Sequence, residues 1–288
     1  MRGQLAHTSA FWRRLAYAGA RYGPRLWLRV SPPVIAVVFA LVLGRARRQI
    51  RSNLRWAGGP GGFWREQWAV LVTFCRYAQC FAESLAGARP EARAAKVRLL
   101  GEEHFAQAVR GGRGAVILTA HLGPWDAAAR LLSEVAASSV LVVMEPERDA
   151  GARALHDELR RAGGVRVAHV GEHPLDALPL LHHLRQGGLL AIQLDRGAPS
   201  QRLLQVELFG QSYALPEGPF RLAALAGVAL VPVFARRLGF FDYELVVSPP
   251  MTLERRADRA SLERVAQVAV DAMALAVRRA PTQWFQFG

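Results

Sequence analysis

The chain has 288 residues, 51% of them hydrophobic and 21% charged, and a formal net charge of +14 at pH 7. This length and composition exclude an intrinsically disordered chain and are sufficient for one large α/β domain. The only cysteines, Cys75 and Cys80, lie five residues apart in an apolar stretch. That spacing excludes a disulfide framework and a C-x-x-C motif, and it indicates free thiols in a reducing compartment.

The positive charge is concentrated at the N-terminus. Residues 1–65 contain twelve arginines and no acidic residue, whereas residues 66–288 are nearly neutral, with 25 basic and 23 acidic residues. Such a segment favours an anionic partner, either nucleic acid or an anionic membrane surface. We interpret residues 1–65 as a basic helical membrane-associating region and residues 66–288 as a single α/β domain.

An apolar run at 34–43 favours the membrane over nucleic acid, because a nucleic-acid surface does not require ten consecutive apolar residues. Arginines flank the run and aromatic residues precede it, a combination typical of a lipid interface. Even extended to 30–44 it is shorter than the roughly 20 residues that span a bilayer. A signal peptide, a transit peptide and a buried core helix are the alternatives, although no small-residue cleavage site follows the run.

Residues 1–57 and 63–86 have helical patterns and are separated by the glycine-rich turn 58–62. Beyond residue 106, short apolar runs alternate with helical patterns. We predict strands over 114–120, 139–144, 165–170, 189–194, 229–235 and 243–247, and helices over 125–136, 149–162, 175–186, 216–226 and 260–279. This alternation predicts an α/β fold with a central, mostly parallel sheet flanked by helices, preceded by the N-terminal helical membrane-associating segment.

A histidine follows the first predicted buried strand. His121 emerges from the strand 114–120, Gly123 and Pro124 turn the chain, and Asp126 falls in the first turn of the next helix. The turn would bring the Asp126 carboxylate to one imidazole nitrogen and leave the other as a general base for a hydroxyl. A hydroxyl activated in this way attacks a thioester without a serine or cysteine nucleophile. The alternative is a structural histidine at a strand end.

Polar residues also follow two later strands. Asp195 and Arg196 follow the strand 189–194, and a parallel sheet places them at the same edge as His121. The Arg196 guanidinium is suited to hold a phosphate or carbonyl oxygen. Arg236, after the strand 229–235, repeats this argument more weakly. The alternative for Asp195 and Arg196 is a structural pair that closes a loop.

The segment HLGPWD resembles the H-x-x-x-x-D motif of the lysophospholipid acyltransferase superfamily. The match is closest to the branch that contains the bacterial lipid A lauroyl and myristoyl acyltransferases and phosphatidylinositol mannoside acyltransferase. That branch typically reads H-x-G-N-W-[DE], so Pro124 replaces the usual Asn. Further segments resemble blocks of this branch in the same order, at 48–54, 101–105, 194–196, 206–210, 215–219 and 231–236.

The resemblance implies that His121 and Asp126 are catalytic and that Gly123, Trp125, Asp195, Arg196 and Arg236 bind substrate. It further implies an acyl-carrier-protein or coenzyme A thioester as donor and a glycolipid or phospholipid hydroxyl as acceptor. Neither a metal ion nor another cofactor is expected, and nucleic acid is not an expected partner. The location implied is the cytoplasmic face of the inner membrane, with peripheral or shallow insertion. Backbone N–H groups around Gly123, or an arginine, would stabilise the oxyanion.

Two other functions remain as alternatives. A hydrolase would use the same His/Asp pair with water, and it would cleave a donor thioester in the absence of a lipid acceptor. The sequence has no G-x-S-x-G motif, which excludes the commonest hydrolase arrangement. A non-catalytic membrane-binding or nucleic-acid-binding module would keep its binding when His121 is replaced.

Overall fold

The computed structural model of the protein describes residues 10–87, 89–125, 128–129, 132, 140–145, 153–154, 157–158, 160–161, 165–171, 175–196 and 202–287. The helices in these ranges are α1 (Ala10–Tyr22), α2 (Arg25–Val42), α3 (Gly44–Trp56), α4 (Phe63–Leu85), α5 (Pro90–Arg93), α6 (Glu102–Ala108), α7 (Ala177–Arg185), α8 (Gly218–Ala226) and α9 (Arg259–Arg279). The strands are β1 (Lys96–Leu100), β2 (Ala115–Thr119), β3 (Val140–Met144), β4 (Arg166–His169), β5 (Leu189–Gln193), β6 (Leu203–Leu208), β7 (Gln211–Pro216), β8 (Ala229–Gly239) and β9 (Asp242–Val247). A short 3₁₀ helix, Pro281–Gln283, precedes the C-terminal segment. The helices predicted over 125–136 and 149–162 lie largely outside the described residues.

Within the described ranges, seven strands form one sheet in the order β1-β9-β8-β2-β5-β3-β4. Neighbouring strands pair in parallel, except that β8 and β9 are antiparallel. Strands β6 and β7 form a separate antiparallel hairpin. The mostly parallel sheet flanked by helices that the sequence predicts is therefore confirmed.

Strand β2 lies at the centre of the sheet, and its apolar residues point alternately to the two faces. Val116 and Leu118 belong to the core beneath α7, α8 and α9, whereas Ala115 and Ile117 belong to the core that contains Phe105 of α6. Because helices cover both faces, the strand is apolar throughout and shows no polar alternation. Its carboxyl end is thereby held at a defined place at the sheet edge.

Some strands differ from the prediction. Strand β1 and the hairpin β6–β7 are additional, and β8 continues to Gly239 because β9 pairs along its second half. The hairpin turns at Phe209 and Gly210, both of which have positive φ angles. Antiparallel pairing, which local apolar runs do not reveal, accounts for the hairpin and for the length of β8, whereas β1 is an edge strand that pairs in parallel with β9.

The N-terminal helices form a layer of their own. Helix α2 packs on α3 and α4 through small residues such as Ala36, Ala40 and Ala69. The opposite side of α2 is apolar but exposed, since only 22% of the 18 residues of this helix are buried in the protein. The predicted domain boundary at residue 65 falls in the first turn of α4, and the division stays a prediction.

A buried ionic cluster joins this helical layer to the sheet. Arg237 of β8 donates two hydrogen bonds to Glu83 of α4, at 2.9 and 2.8 Å, and Tyr243 of β9 donates a third at 2.8 Å. Burial is the main influence on the pKa of Glu83 and raises it, although Arg237 and Tyr243 act against the rise. The cluster therefore fixes the end of α4 against the sheet.

Candidate active site

His121 and Asp195 lie side by side at the carboxyl edge of the sheet. In the parallel pair β2–β5, Thr119 is in register with Gln193, so the residues two positions further on are also level. The His121 ring Nδ1 lies 2.8 Å from Asp195 Oδ1, and the His121 backbone N–H donates to both carboxylate oxygens at 3.1 Å. The prediction that the two residues share one sheet edge is confirmed.

Asp195 is 1% exposed, and its carboxylate accepts hydrogen bonds from the described residues. Besides His121, the Trp284 indole N–H donates to Oδ2 at 2.9 Å. Burial is the largest influence on the pKa of Asp195 and acts to raise it, but the hydrogen bonds and charge of His121 and the Trp284 hydrogen bond outweigh it and hold the pKa below its ordinary value. Asp195 is therefore ionised at neutral pH and holds a proton on Nδ1 of His121, and Nε2 of that ring has no hydrogen-bond partner among the described residues, which do not include Asp126.

The turn after His121 requires glycine. Gly123 has a φ of 58°, and a Cβ there would lie 2.4 Å from the carbonyl oxygen of Ala235 in β8. Its N–H donates to the Gln283 carbonyl at 2.9 Å, and the Leu122 and Trp125 N–H groups donate to carbonyls within the turn. The Gly123 amide is therefore engaged within the fold, and the expectation that backbone N–H groups around Gly123, or an arginine, stabilise an oxyanion stays a prediction. Gly123 also shapes the turn and brings it close to β8.

Trp125 forms one wall beside the histidine. Its ring meets the His121 ring edge to face, with the centroids 5.9 Å apart. The guanidinium of Arg160 lies over the Trp125 ring, 5.9 Å from its centroid. Trp125 thus limits the space around the imidazole, and its predicted role in substrate binding stays a prediction.

The two arginines predicted to bind substrate differ in their surroundings. Arg196 is exposed, and its Nη2 donates to the Phe285 carbonyl at 3.0 Å. Arg236 lies within β8 rather than after it, and it forms a two-bond ion pair with Glu244 of β9, at 2.7 and 3.1 Å. Arg196 is therefore the better placed of the two to meet an anionic oxygen.

Asp126 lies outside the described residues, so its predicted pairing with His121 stays a prediction. Thiol chemistry has little support, because burial raises the pKa of both Cys80 and Cys75. The described residues contain no group of three or more metal-ligating side chains.

The C-terminal segment runs along the site, a position that the sequence patterns do not predict. Leu122 and Trp284 form an antiparallel bridge, and the Phe285 N–H donates to the His121 carbonyl at 2.7 Å. The Gln286 side chain donates to the Asp195 carbonyl at 2.9 Å, and the Gln286 carbonyl accepts from Asn53 at 2.6 Å. The only signal in the sequence was Asn53, within the segment 48–54 that resembles a family block. The structure shows that this asparagine anchors the end of the chain.

The family model for bacterial lipid A biosynthesis acyltransferases matches residues 10–288. The chain belongs to this family. It is accordingly an acyltransferase of lipid substrates, and it uses an acyl donor and a lipid acceptor. The match covers the helical layer, the sheet and the C-terminal segment, so the site described above lies within the family region.

Two other comparisons add less. Among solved structures, the chain is similar to the 1-acyl-sn-glycerophosphate (LPA) acyltransferase PlsC from Thermotoga maritima. The two share 11% sequence identity with a TM-score of 0.40, over 84% of this chain and 97% of that one. No curated protein matches the chain.

Proposed function

We propose that the protein transfers a fatty acyl chain from an acyl-carrier-protein or coenzyme A thioester to a hydroxyl of a membrane glycolipid or phospholipid. The observation that carries this proposal is the His121–Asp195 hydrogen bond at the carboxyl edge of the sheet, which occupies Nδ1, while Nε2 has no hydrogen-bond partner among the described residues. Asp195 then has the role that the sequence assigns to Asp126, namely holding the ring in one tautomer and stabilising its protonated form.

The reaction follows from this arrangement. His121 Nε2 removes the proton of the acceptor hydroxyl, whose oxygen attacks the thioester carbonyl carbon. The resulting oxyanion collapses, the carbon–sulfur bond breaks, and the imidazolium returns the proton to the leaving thiolate. The products are an ester and a free thiol. Because the Gly123 amide is engaged, we assign stabilisation of the oxyanion to the exposed Arg196 guanidinium.

The exposed side of α2 supports a membrane location. Within the described residues, α2 is the one helix long and apolar enough to cross a membrane. At 18 residues it is about 27 Å long, slightly less than the roughly 30 Å hydrocarbon core. We propose that α2 enters the cytoplasmic leaflet of the inner membrane from the basic N-terminal side and does not require a full crossing.

Aromatic residues at the start of α4 extend the proposed lipid surface. Trp64 and Trp68 are exposed, and they line a pocket of about 470 Å³ whose other walls are Pro60, Arg65, Ala69, Val72 and Thr282. Indole rings next to arginine are common at the depth of lipid headgroups. This pocket and the exposed side of α2 therefore supply apolar contact for a lipid at the helical layer.

Acyl transfer into vesicles tests the catalytic proposal. The protein is incubated with each thioester donor and vesicles that contain candidate glycolipids, and mass spectrometry detects the acylated lipid. We expect His121→Ala to lower kcat about 100-fold or more, and Asp195→Asn to lower it by a similar factor. Asp126→Asn is assayed in parallel, and a larger loss there than for Asp195→Asn would return the role of histidine partner to Asp126.

The same assay separates transfer from hydrolysis. We expect thiol release to depend on the lipid acceptor and to match the ester formed. Equal thiol release without the acceptor would identify a thioester hydrolase, and full transfer by His121→Ala would remove the general-base assignment.

A further inference from the structure

We infer that Trp284 is a positioning residue, whose indole N–H orients the Asp195 carboxylate and through it the His121 ring. This inference rests on the proposed function, since it assumes that His121 is the base. It assigns a part of the catalytic arrangement to the C-terminal segment 283–287.

The geometry divides the two oxygens of Asp195 between two side-chain donors. Oδ1 meets the His121 ring at 2.8 Å, while Oδ2 accepts the Trp284 indole N–H at 2.9 Å. The His121 backbone N–H lies 3.1 Å from both oxygens and therefore does not distinguish between them. The terminal torsion of a carboxylate is broad and weakly restricted, and the indole N–H on Oδ2 restricts it further and keeps Oδ1 directed at Nδ1.

Trp284 is itself held on several sides. It is 2% exposed, and its ring packs on Trp56 and Phe209 at centroid distances of 6.0 and 6.2 Å. Its backbone bridges to Leu122, in the turn that follows the histidine. The donor that fixes Asp195 is thus attached to the same turn that carries His121, and the three groups keep their relative positions.

The next residues anchor this segment to the helical layer. Gln286 is bonded both to the Asp195 carbonyl and to Asn53 of α3, while Phe287 stacks on Phe74 of α4 with a centroid distance of 6.3 Å. Gln283 makes two hydrogen bonds to the Arg237 backbone, at 2.8 and 2.9 Å. The segment therefore connects the proposed catalytic pair to the helices that carry the proposed lipid surface.

Trp284→Phe tests the inference, because it removes the N–H and keeps an aromatic ring. We expect kcat to fall about 10-fold to 100-fold with KM nearly unchanged, since the loss concerns the orientation of the base and leaves substrate contacts intact. Trp56→Phe is the matched control. Trp56 is partly buried and packs against the Trp284 ring, and its own indole N–H has no hydrogen-bond partner among the described residues. This control should keep kcat within about twofold.

A double-mutant cycle separates positioning from a general structural role. In an Asp195→Asn background, Trp284→Phe should cost little further activity, because the two residues act through one another. A further loss as large as in the parent protein would overturn the inference. Equal losses for Trp284→Phe and Trp56→Phe would do the same.

Proton NMR tests the inference without measuring turnover. Proton NMR of the substrate-free protein should show a far-downfield Nδ1–H resonance for His121, which weakens or shifts in Trp284→Phe and is unchanged in Trp56→Phe. An unchanged resonance in Trp284→Phe would refute positioning, whereas a normal response together with full activity of His121→Ala would refute only the proposed function. If Trp284→Phe does not fold, Gln286→Leu is the second variant, because it removes the hydrogen bond to the Asp195 carbonyl. We expect it to lower kcat severalfold. An unchanged kcat would overturn the inference.

Discussion

Two apolar runs of similar composition have opposite surroundings in this protein. The run in β2 is covered on both faces and ends at His121, whereas the run in α2 packs on one side only and leaves the other side exposed. The strand is apolar because it crosses the centre of a sheet between two helix layers. The helix is apolar on its exposed side without any covering partner among the described residues, as a lipid surface requires. Hydrophobicity alone therefore does not distinguish a protein core from a membrane contact.

A charge placed in each run tests this difference most strongly. Ile117→Asp buries a carboxylate in a position that is 1% exposed, and we expect the protein to lose about 5 kcal/mol or more of stability and to fail to fold. Val38→Asp lies on the exposed side of α2 and should change the free energy of unfolding by about 1 kcal/mol or less. Urea unfolding measures both. Vesicle flotation should show weaker binding for Val38→Asp, and unchanged binding would contradict a lipid contact at α2.

The junction between the two regions gives the next largest effect. Arg237→Leu leaves the Glu83 carboxylate buried without its cation, and we expect a loss of about 3–5 kcal/mol at neutral pH. Arg259→Leu is the control, because the side chains of the Arg259–Glu263 pair are 59% and 30% exposed and the pair should be worth about 1 kcal/mol or less.

The effect of Arg237→Leu should also depend on pH. The folded-state pKa of Glu83 is already raised by burial, and removing Arg237 raises it further. The contribution of Glu83 to stability is therefore fully present below its unfolded pKa and is lost as pH rises through the folded pKa. Urea unfolding between pH 4.5 and neutral pH should show the variant recovering stability towards acid. A constant difference across this range would contradict the assignment to Glu83.

The turn after β2 gives a smaller effect. Gly123→Ala combines a positive φ with a Cβ against the Ala235 carbonyl, and we expect a loss of about 2–4 kcal/mol together with lower kcat. Gly111→Ala has a similar φ of 74° but no atom within 4 Å of the added Cβ, so it should cost only about 1–2 kcal/mol. Thermal unfolding compares the two, and equal losses would show that the contact with β8 does not matter.

The smallest effect on folding is expected at the lipid-facing aromatic residues. Trp64 is 81% exposed, so Trp64→Ala should leave the free energy of unfolding within about 0.5 kcal/mol of the parent value. Flotation with anionic vesicles should nevertheless show weaker binding. Ala106→Ser is the control, because Ala106 is exposed and lies in α6, outside the N-terminal helical layer. It should leave both the free energy of unfolding and vesicle binding unchanged. Unaltered vesicle binding by Trp64→Ala would remove α4 from the proposed lipid surface.

Three features are predictable from the sequence: the fold class, the buried strand before His121, and the placement of Asp195 at the same sheet edge. These follow from local information, since the period of apolar residues separates strands from helices and parallel strands end at one edge. The basic N-terminus and the apolar run were likewise visible, together with the order of the family blocks.

The groups that contact the histidine are known only from the packed structure. Asp195 is 74 residues from His121, and Trp284 is 89 residues from Asp195. Their contacts depend on the register of β2 against β5 and on the path of the C-terminal segment across the sheet edge. No local pattern encodes either, because hydrogen bonds between distant segments form only after several elements have packed together. For the same reason the sequence did not show that the Gly123 amide is engaged by Gln283.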